Sequence, residues 1–373
     1  MKIYEDYEAI EKSLKNISID DYKYCLNFLE DDISKNLYYY RVMIDNTDDP
    51  YYGLMLAKNG FESQGIRKVE ELLTYRLIKF LLSNNNYKKK IYMFGDTMEH
   101  FLSRTIIWQC FDGMDNLFMF DDDGERDYDQ CGKNIHIKPI NKFFEEEIPE
   151  NVVFIIGNPK YIFLKESLKD SFVYDLECSV NQCGEQYFEE AICPYNDNEV
   201  IVDCGTYDLT NVFQYNYWLN GKYKKIYGFE PIESMYNTCL NVINEYNLDR
   251  IEMFNIGLWD KKEEKPFSIS EDNSASRFDK DSNYIVHCDT LDNLLIDKDV
   301  SVIKMDIEGA EKEALLGCKN IIKNNKPKLL ICVYHKPNDI VNIIKLVKSI
   351  RNDYKVYIRH YGSTIYETVA YFV

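Results

Sequence analysis

After Asn198 the chain carries five short apolar runs in succession, EVIVDC (199–204), KIYGFE (225–230), IEMFNI (251–256), SVIKMD (301–306) and KLLICVY (328–334), and these constrain the fold more than any other feature. Apolar runs of this length with little polar alternation read as strands covered on both faces, the condition of a parallel sheet. Helical periodicity separates most of them, as parallel crossovers require. Met235, Cys239, Val242 and Ile243 form one helical face, and Ile340, Ile343, Ile344 and Val347 another. Pro231 and Pro337 are expected in the first turns of those two helices. The last two runs, YKVYIRHY (354–361) and ETVAYFV (367–373), are joined by a short Gly-Ser-Thr connection and must pair antiparallel. The expectation is an α/β fold whose C-terminal part is a doubly wound sheet, mostly parallel, with an antiparallel last strand.

Residues 1–87 show helix-like spacing, for example Leu73, Leu77 and Phe80, and are read as a helical leader. From 88 to 175 the strand runs IYMFG (91–95), LFMFDDD (117–123) and VVFIIGNP (152–159) alternate with helical ones, which argues for a smaller N-terminal Rossmann-like α/β module. Gly95 ends its first strand and Asp121 to Asp123 its second, where a phosphate turn and a ribose-binding acid would stand. The segment Gly95-Asp96-Thr97-Met98-Glu99-His100, however, holds one glycine where close approach to a pyrophosphate takes two or three, and its acids repel phosphate. The module is therefore expected to bind no nucleotide and to act as a scaffold. The third domain is 176–373.

Charge narrows the partners. Against 44 Lys and Arg stand 63 Asp and Glu, a net charge of −19 that repels phosphate backbones and anionic lipid. The basic clusters, Lys88 to Lys90 and Lys222 to Lys225, are short turn lysines. Neither nucleic acid nor membrane is an expected partner, while the composition leaves room for a homo-oligomer. The first residues, MKIYEDYEAIEKSLK, carry neither a secretory signal nor an apolar span, so a cytoplasmic location is expected. The eleven cysteines form no CxxC pair. Cys178, Cys183 and Cys193 do not have the spacing of a familiar zinc knuckle, and no metal is assigned to them.

In a doubly wound sheet the ligand lies over the carboxyl ends of the strands beside the topological switch point. Candidates there are the Asp203-Cys204-Gly205-Thr206-Tyr207 turn, with Gly205 allowing close backbone approach and Asp203 placed to hold an amino group. Glu230 ends the second strand and can accept two ribose hydroxyls. Asp306, followed by Glu308-Gly309-Ala310-Glu311, ends the fourth, and His335 follows the fifth. Singly, Glu230 reads as a helix cap and Glu308 and Glu311 as partners of a helix dipole. Together they make an acidic rim suited to a cationic sulfonium and unsuited to the pyrophosphate of NAD.

The segments VIVDCGTY (200–207), GFEP (228–231), TLD (290–292), IKMDIEGAE (303–311), KPKLLICVYHKPND (326–339) and RHY (359–361) resemble those of the FkbM methyltransferase family, IKMDIEGAE being the most specific. The resemblance covers 200–373 and implies the methyltransferase variant of the sheet, S-adenosyl-L-methionine as cofactor, and O-methyl transfer to hydroxyls of sugars, glycans or secondary metabolites. It places the cofactor on Asp203, Gly205, Thr206, Tyr207, Glu230 and Asp306. One departure is plain: the family continues its first motif with a second glycine and an acid, whereas this chain reads Gly205-Thr206-Tyr207-Asp208-Leu209-Thr210.

Methyl transfer is an in-line displacement that needs alignment, exclusion of water and a base for the acceptor hydroxyl. Asp306, His335 and Glu308 form the expected catalytic set, with His335 the base nearest neutral pH; a purely structural His335 is the alternative. Two further readings are an inactive methyltransferase fold serving as a binding or scaffold subunit, motivated by the missing glycine, and a metal-assisted enzyme with a hard divalent ion on Asp306, Glu308 or Glu311, and His335. The leader and the 261–289 insertion, with Ser274, Ser276 and Arg277, are expected to shape the acceptor pocket.

Overall fold

The computed structural model describes residues 2–66, 73–95, 107, 114–122, 125–130, 133–145, 147–156, 161, 164, 168, 171–173, 186–219, 221–270 and 276–373. Contacts divide the chain into two units, one of Met1–Asn46, Glu185–Arg359 and Thr368–Val373, the other of Thr47–Gly184 and His360–Glu367. The segment read as a single helical leader is thus shared: its first 46 residues belong to the former unit and the rest to the latter.

The second unit is built on six strands, β1 (Lys90–Phe94), β2 (Leu117–Asp121), β3 (Arg126–Gln130), β4 (Lys133–Pro139), β5 (Val152–Ile156) and β6 (Ser171–Val173), in the order β3-β4-β2-β1-β5-β6. All neighbours are parallel except β3 and β4. The two-residue period of a strand sorts the side chains. Ile91, Met93, Val153 and Ile155 pack with Leu77, Ile78 and Leu81 of the helix Leu73–Leu82. Tyr92, Phe94, Phe120 and Phe154 pack with Phe143 on the other face. Asp121, at the end of β2, is buried and engaged internally, accepting from the Tyr161 hydroxyl at 2.7 Å and from Arg126 Nη2 at 3.2 Å. Asp96 to His100 and Asp123 lie outside the described residues.

The other unit carries β7 (Val200–Cys204), β8 (Lys225–Phe229), β9 (Ile251–Phe254), β10 (Gly257–Leu258), β11 (Glu263–Ser268), β12 (Arg277–Phe278), β13 (Tyr284–Asp289), β14 (Val302–Met305), β15 (Lys328–Cys332), β16 (Val356–His360) and β17 (Thr368–Phe372). The main sheet has the order β16-β17-β15-β14-β7-β8-β9. It is parallel from β9 to β15, and β17 runs antiparallel to β15. All five residues of β7 and of β17 are buried, as the unbroken apolar runs require. From β7 the chain winds outward through β8 and β9, then returns to β14 and winds the opposite way. The switch point therefore falls between β7 and β14, where Cys204 is in register with Met305 and Asp306 N donates to Cys204 O at 3.2 Å.

Strands β10 to β13 form a separate four-stranded sheet, order β10-β13-β11-β12, so the insertion has its own small core of Ile232, Phe267, Val286 and Cys288. The helices Glu233–Glu245 and Asp339–Ile350 present the expected apolar faces, but their caps are Ile232 and Asn338. Pro231 and Pro337 thus each stand one residue before the cap, outside the first turn. Asn338 takes a left-handed φ of 64°, held by Asn46 Nδ2 at 2.8 Å from its side-chain oxygen. Residues 29–34 join the β16 edge of the main sheet: Leu29 bridges Val356, and Ile358 N donates to Ser34 Oγ at 2.9 Å. Among the described residues no helix is long and apolar enough to cross a membrane. Cys193 is a buried free thiol; Cys178 and Cys183 lie outside the described residues.

Candidate active site

The centre of the site is a lysine inside an otherwise apolar strand. Lys304 of β14 is buried, its Nζ 3.0 Å from Asp203 Oδ1 on β7, and it donates to Gly205 O at 2.9 Å. Burial alone would strip this ammonium of its proton, but Asp203 and Asp306 more than offset it and hold the pKa above the usual lysine value. Burial pushes the Asp203 carboxyl up, opposed by Lys304. Asp203 is therefore a buried partner of Lys304, and neither of its oxygens makes a hydrogen bond within the chain.

That turn is shaped by backbone geometry. Gly205 has φ 78°, and a Cβ there would lie 1.9 Å from the carbonyl oxygen of Asp306, so the glycine admits the end of β14. Thr206 is buried; its hydroxyl donates to Asp203 O at 3.1 Å and its N–H to Phe229 O at 3.2 Å, clamping β7 to β8. Its hydroxyl hydrogen is engaged inside the fold. Where the family has a second glycine, the chain bends through non-glycine residues: Tyr207 takes φ 54° and the buried Leu209 φ 70° before the helix Thr210–Trp218. Each such residue costs about 1–2 kcal/mol.

Glu230, at the end of β8, is 5% exposed. Its Oε1 accepts from Ile232 N at 2.9 Å and its Oε2 from Tyr207 N at 3.1 Å, so one carboxylate ties the next helix to the β7 turn. Burial pushes its pKa up to about 7 against those two bonds and Lys304. Each oxygen keeps a second lone pair, so these two bonds leave Glu230 able to accept further donors.

Beyond β14 and β15 lies a second cluster. Asp306 Oδ2 accepts from the Tyr187 hydroxyl at 3.0 Å and Oδ1 from the Tyr334 hydroxyl at 3.2 Å. His335 Nε2 is 3.3 Å from Asp306 Oδ1 and 3.6 Å from Glu308 Oε1, and Nδ1 is 3.0 Å from Glu311 Oε1. Glu311 is buried and also accepts from Ile307 N at 2.9 Å, holding the loop in which Glu308 has φ 53°. Burial works against charge on both Asp306 and His335, yet each is kept ionised. Asp306 falls below its ordinary value through His335, Lys304 and the two tyrosines, and His335 rises well above its own through Glu311, Glu308 and Asp306. Surrounded by these acids, the imidazole favours its protonated form, the opposite of what a base near neutral pH requires.

The fold thus brings Asp203, Gly205, Thr206, Tyr207, Glu230 and Asp306 around one switch point, with Glu308 and His335 adjoining Asp306. Ser276 lies in the inserted sheet, where its Oγ accepts from Ser270 N at 3.0 Å, and Arg277 is exposed there. Ser274 lies outside the described residues. Sequence reasoning missed Lys304, whose signal was a charge in a strand apolar on both sides. It also missed Tyr187, which precedes the first strand of the sheet in a polar segment that carried no signal.

A seven-stranded sheet in this order, with its next-to-edge strand antiparallel and an acidic rim at the switch point, is the methyltransferase form of the Rossmann-like fold. Residues 203–361 match the family model of the methyltransferase FkbM domain. The structure is similar to that of methyltransferase FkbM from Methylobacillus flagellatus KT, with a TM-score of 0.53 and 17% identity over 87% of this chain and 100% of that one. It also has a TM-score of 0.33 to an rRNA methylase from Streptococcus thermophilus, 13% identical over 50% of this chain and 90% of that one. A fibrillarin from Aeropyrum pernix, in complex with S-adenosyl-L-methionine, gives a TM-score of 0.33 at 10% identity over 49% of this chain and 71% of that one. None of the curated proteins matches the sequence.

Proposed function

We propose that this chain is an S-adenosyl-L-methionine-dependent O-methyltransferase acting on a hydroxyl of a sugar, a glycan or a secondary metabolite. The observation that carries the reading is the pairing of two differently tuned acids across the Gly205 turn: Glu230, buried and tied to Tyr207 N, and Asp306, kept ionised at the partly open end of β14. These residues fit the cofactor. Glu230 has lone pairs left for two ribose hydroxyls, and Tyr207 presents an exposed ring above the turn. When bound, S-adenosyl-L-methionine supplies an electrophilic methyl group on a cationic sulfur.

The remaining work falls to the chain. Asp306, ionised and 24% exposed, is the group placed to accept the hydroxyl proton of the acceptor. Tyr187 and Tyr334 fix its orientation, and Lys304 balances the charge below it. Calorimetric binding of S-adenosyl-L-methionine to the full chain, followed by transfer of a labelled methyl group to a panel of sugar and polyol acceptors, tests the reading. An enthalpically silent titration with no thermal shift would return the chain to the scaffold interpretation.

A further inference from the structure

We propose that Asp306, Glu308 and His335 form a binding site for one divalent first-row transition-metal ion, of which Mn²⁺ is the convenient probe. One ligand atom from each residue lies within 4.8 Å of the others, a spacing that lets all three converge on a single ion after small side-chain adjustments. A cluster of acids would not carry the inference alone. The second observation is His335, whose side chain is 5% exposed and neither of whose ring nitrogens makes a hydrogen bond, although carboxylate oxygens stand at 3.0 to 3.6 Å. The proton that the acids hold on the ring in the free chain leaves when an ion takes its place between them, and Nε2, buried and aimed between Asp306 and Glu308, is then oriented as a ligand.

The surroundings have the form that metal-binding histidines use. The far nitrogen, Nδ1, faces Glu311, which is itself fixed by Ile307 N, so the ring is presented with Nε2 toward Asp306 and Glu308. Asp306 is held by Tyr187 and Tyr334 in the same way. Glu308 is aimed by a left-handed backbone, a conformation that a non-glycine residue adopts at a cost. One nitrogen and carboxylate oxygens select manganese, iron or zinc rather than calcium, whose ligands are oxygen. Because the side chains of Asp306 and Glu308 are 24% and 31% exposed, coordination positions remain open on the solvent side. On the transferase reading, on which this role rests, an acceptor hydroxyl would take one of them. A carboxylate is a weak base toward an alcohol, and a cation lowers the alcohol's own pKa.

The test is titration of Mn²⁺ into the full chain, followed by the loss of the free-ion electron paramagnetic resonance signal, alongside calorimetry with S-adenosyl-L-methionine. The expected result is one ion per chain, with Glu308→Gln weakening it at least tenfold and Glu264→Gln, in the inserted sheet, leaving it unchanged. His335→Gln should do the same as Glu308→Gln; Glu308→Gln, which alters a partly exposed side chain, guards against a histidine variant that fails to fold. Absence of stoichiometric binding, or binding indifferent to both ligand variants, overturns the site. If S-adenosyl-L-methionine binds while Mn²⁺ does not, the transferase reading survives and the metal site falls; the reverse outcome retains the site and removes its proposed role.

Discussion

The Tyr187 hydroxyl donates to Asp306 Oδ2 at 3.0 Å, from a position that precedes the first strand of the sheet and lies 119 residues from its acceptor. The same oxygen sits 3.2 Å from Cys332 Sγ, and the ring lies 5.6 Å from Lys304 Nζ. A residue outside the doubly wound core thereby orients the acid at its switch point. Removing only the hydroxyl should leave the ring packing in place. Tyr187→Phe is expected to lower kcat about tenfold with little change in KM, in line with the worth of a hydrogen bond to a charged group. Equal losses in kcat and cofactor affinity would instead make it a general support of the fold.

Glu230 gives a pH signature. Between the ordinary value of 4.5 and its folded value of about 7 the folded chain keeps a proton that the unfolded chain has released. Its contribution to stability therefore falls as pH rises across that window and is constant above it. Hydroxyl donors favour the ionised form, so affinity for S-adenosyl-L-methionine should rise about tenfold from pH 6 to pH 8. Calorimetry at the two pH values checks this, and Glu230→Gln should remove that increment.

Lys304 and Asp203 are buried together, so removing one strands the other. Lys304→Met should cost about 3–5 kcal/mol in urea unfolding. The double variant with Asp203→Asn should recover much of the loss, because the unpaired charge is then gone. Additive losses would show that the two groups act separately.

Gly205→Ala would force a Cβ against the Asp306 carbonyl at 1.9 Å while imposing φ 78° on an alanine. The expected cost is about 3 kcal/mol or more, read from the urea midpoint. A variant as stable as the parent would mean that β14 retreats freely from the turn, and cofactor affinity should then be unaltered.

The strands of the sheet were legible because they are buried on both faces and so are unbroken apolar runs, β7 and β15 most plainly. The inserted sheet was not, because β11 reads Glu-Glu-Lys-Pro-Phe-Ser and only Phe267 is buried, a pattern without hydrophobic signal. Nor was the β3–β4 hairpin, where Ile135 and Ile137 are buried but stand among polar residues in too short a run to signal a strand pair. The site acids were legible as strand-end residues. Their division of labour was not, since it depends on Lys304 reaching sideways to Asp203 and on Glu311 reaching back to His335. Such contacts join residues on different elements and leave no local pattern. The two prolines were misplaced by one or two residues because Asn338 adopts a left-handed cap and Glu230 captures Ile232 N, neither of which the spacing reveals.

The contact between Ser34 and Ile358 spans 324 residues, and β17 lies between β15 and β16. During synthesis, the helices of residues 1–46 leave the ribosome long before the strand that anchors them exists. The edge of β15 likewise stays open until residues 368–372 emerge. Most of the other unit lies within the intervening stretch and has its whole sheet available earlier. Folding should therefore proceed from the middle of the chain outward, with the catalytic unit completed last and its unpaired β15 edge the segment most in need of protection by a chaperone.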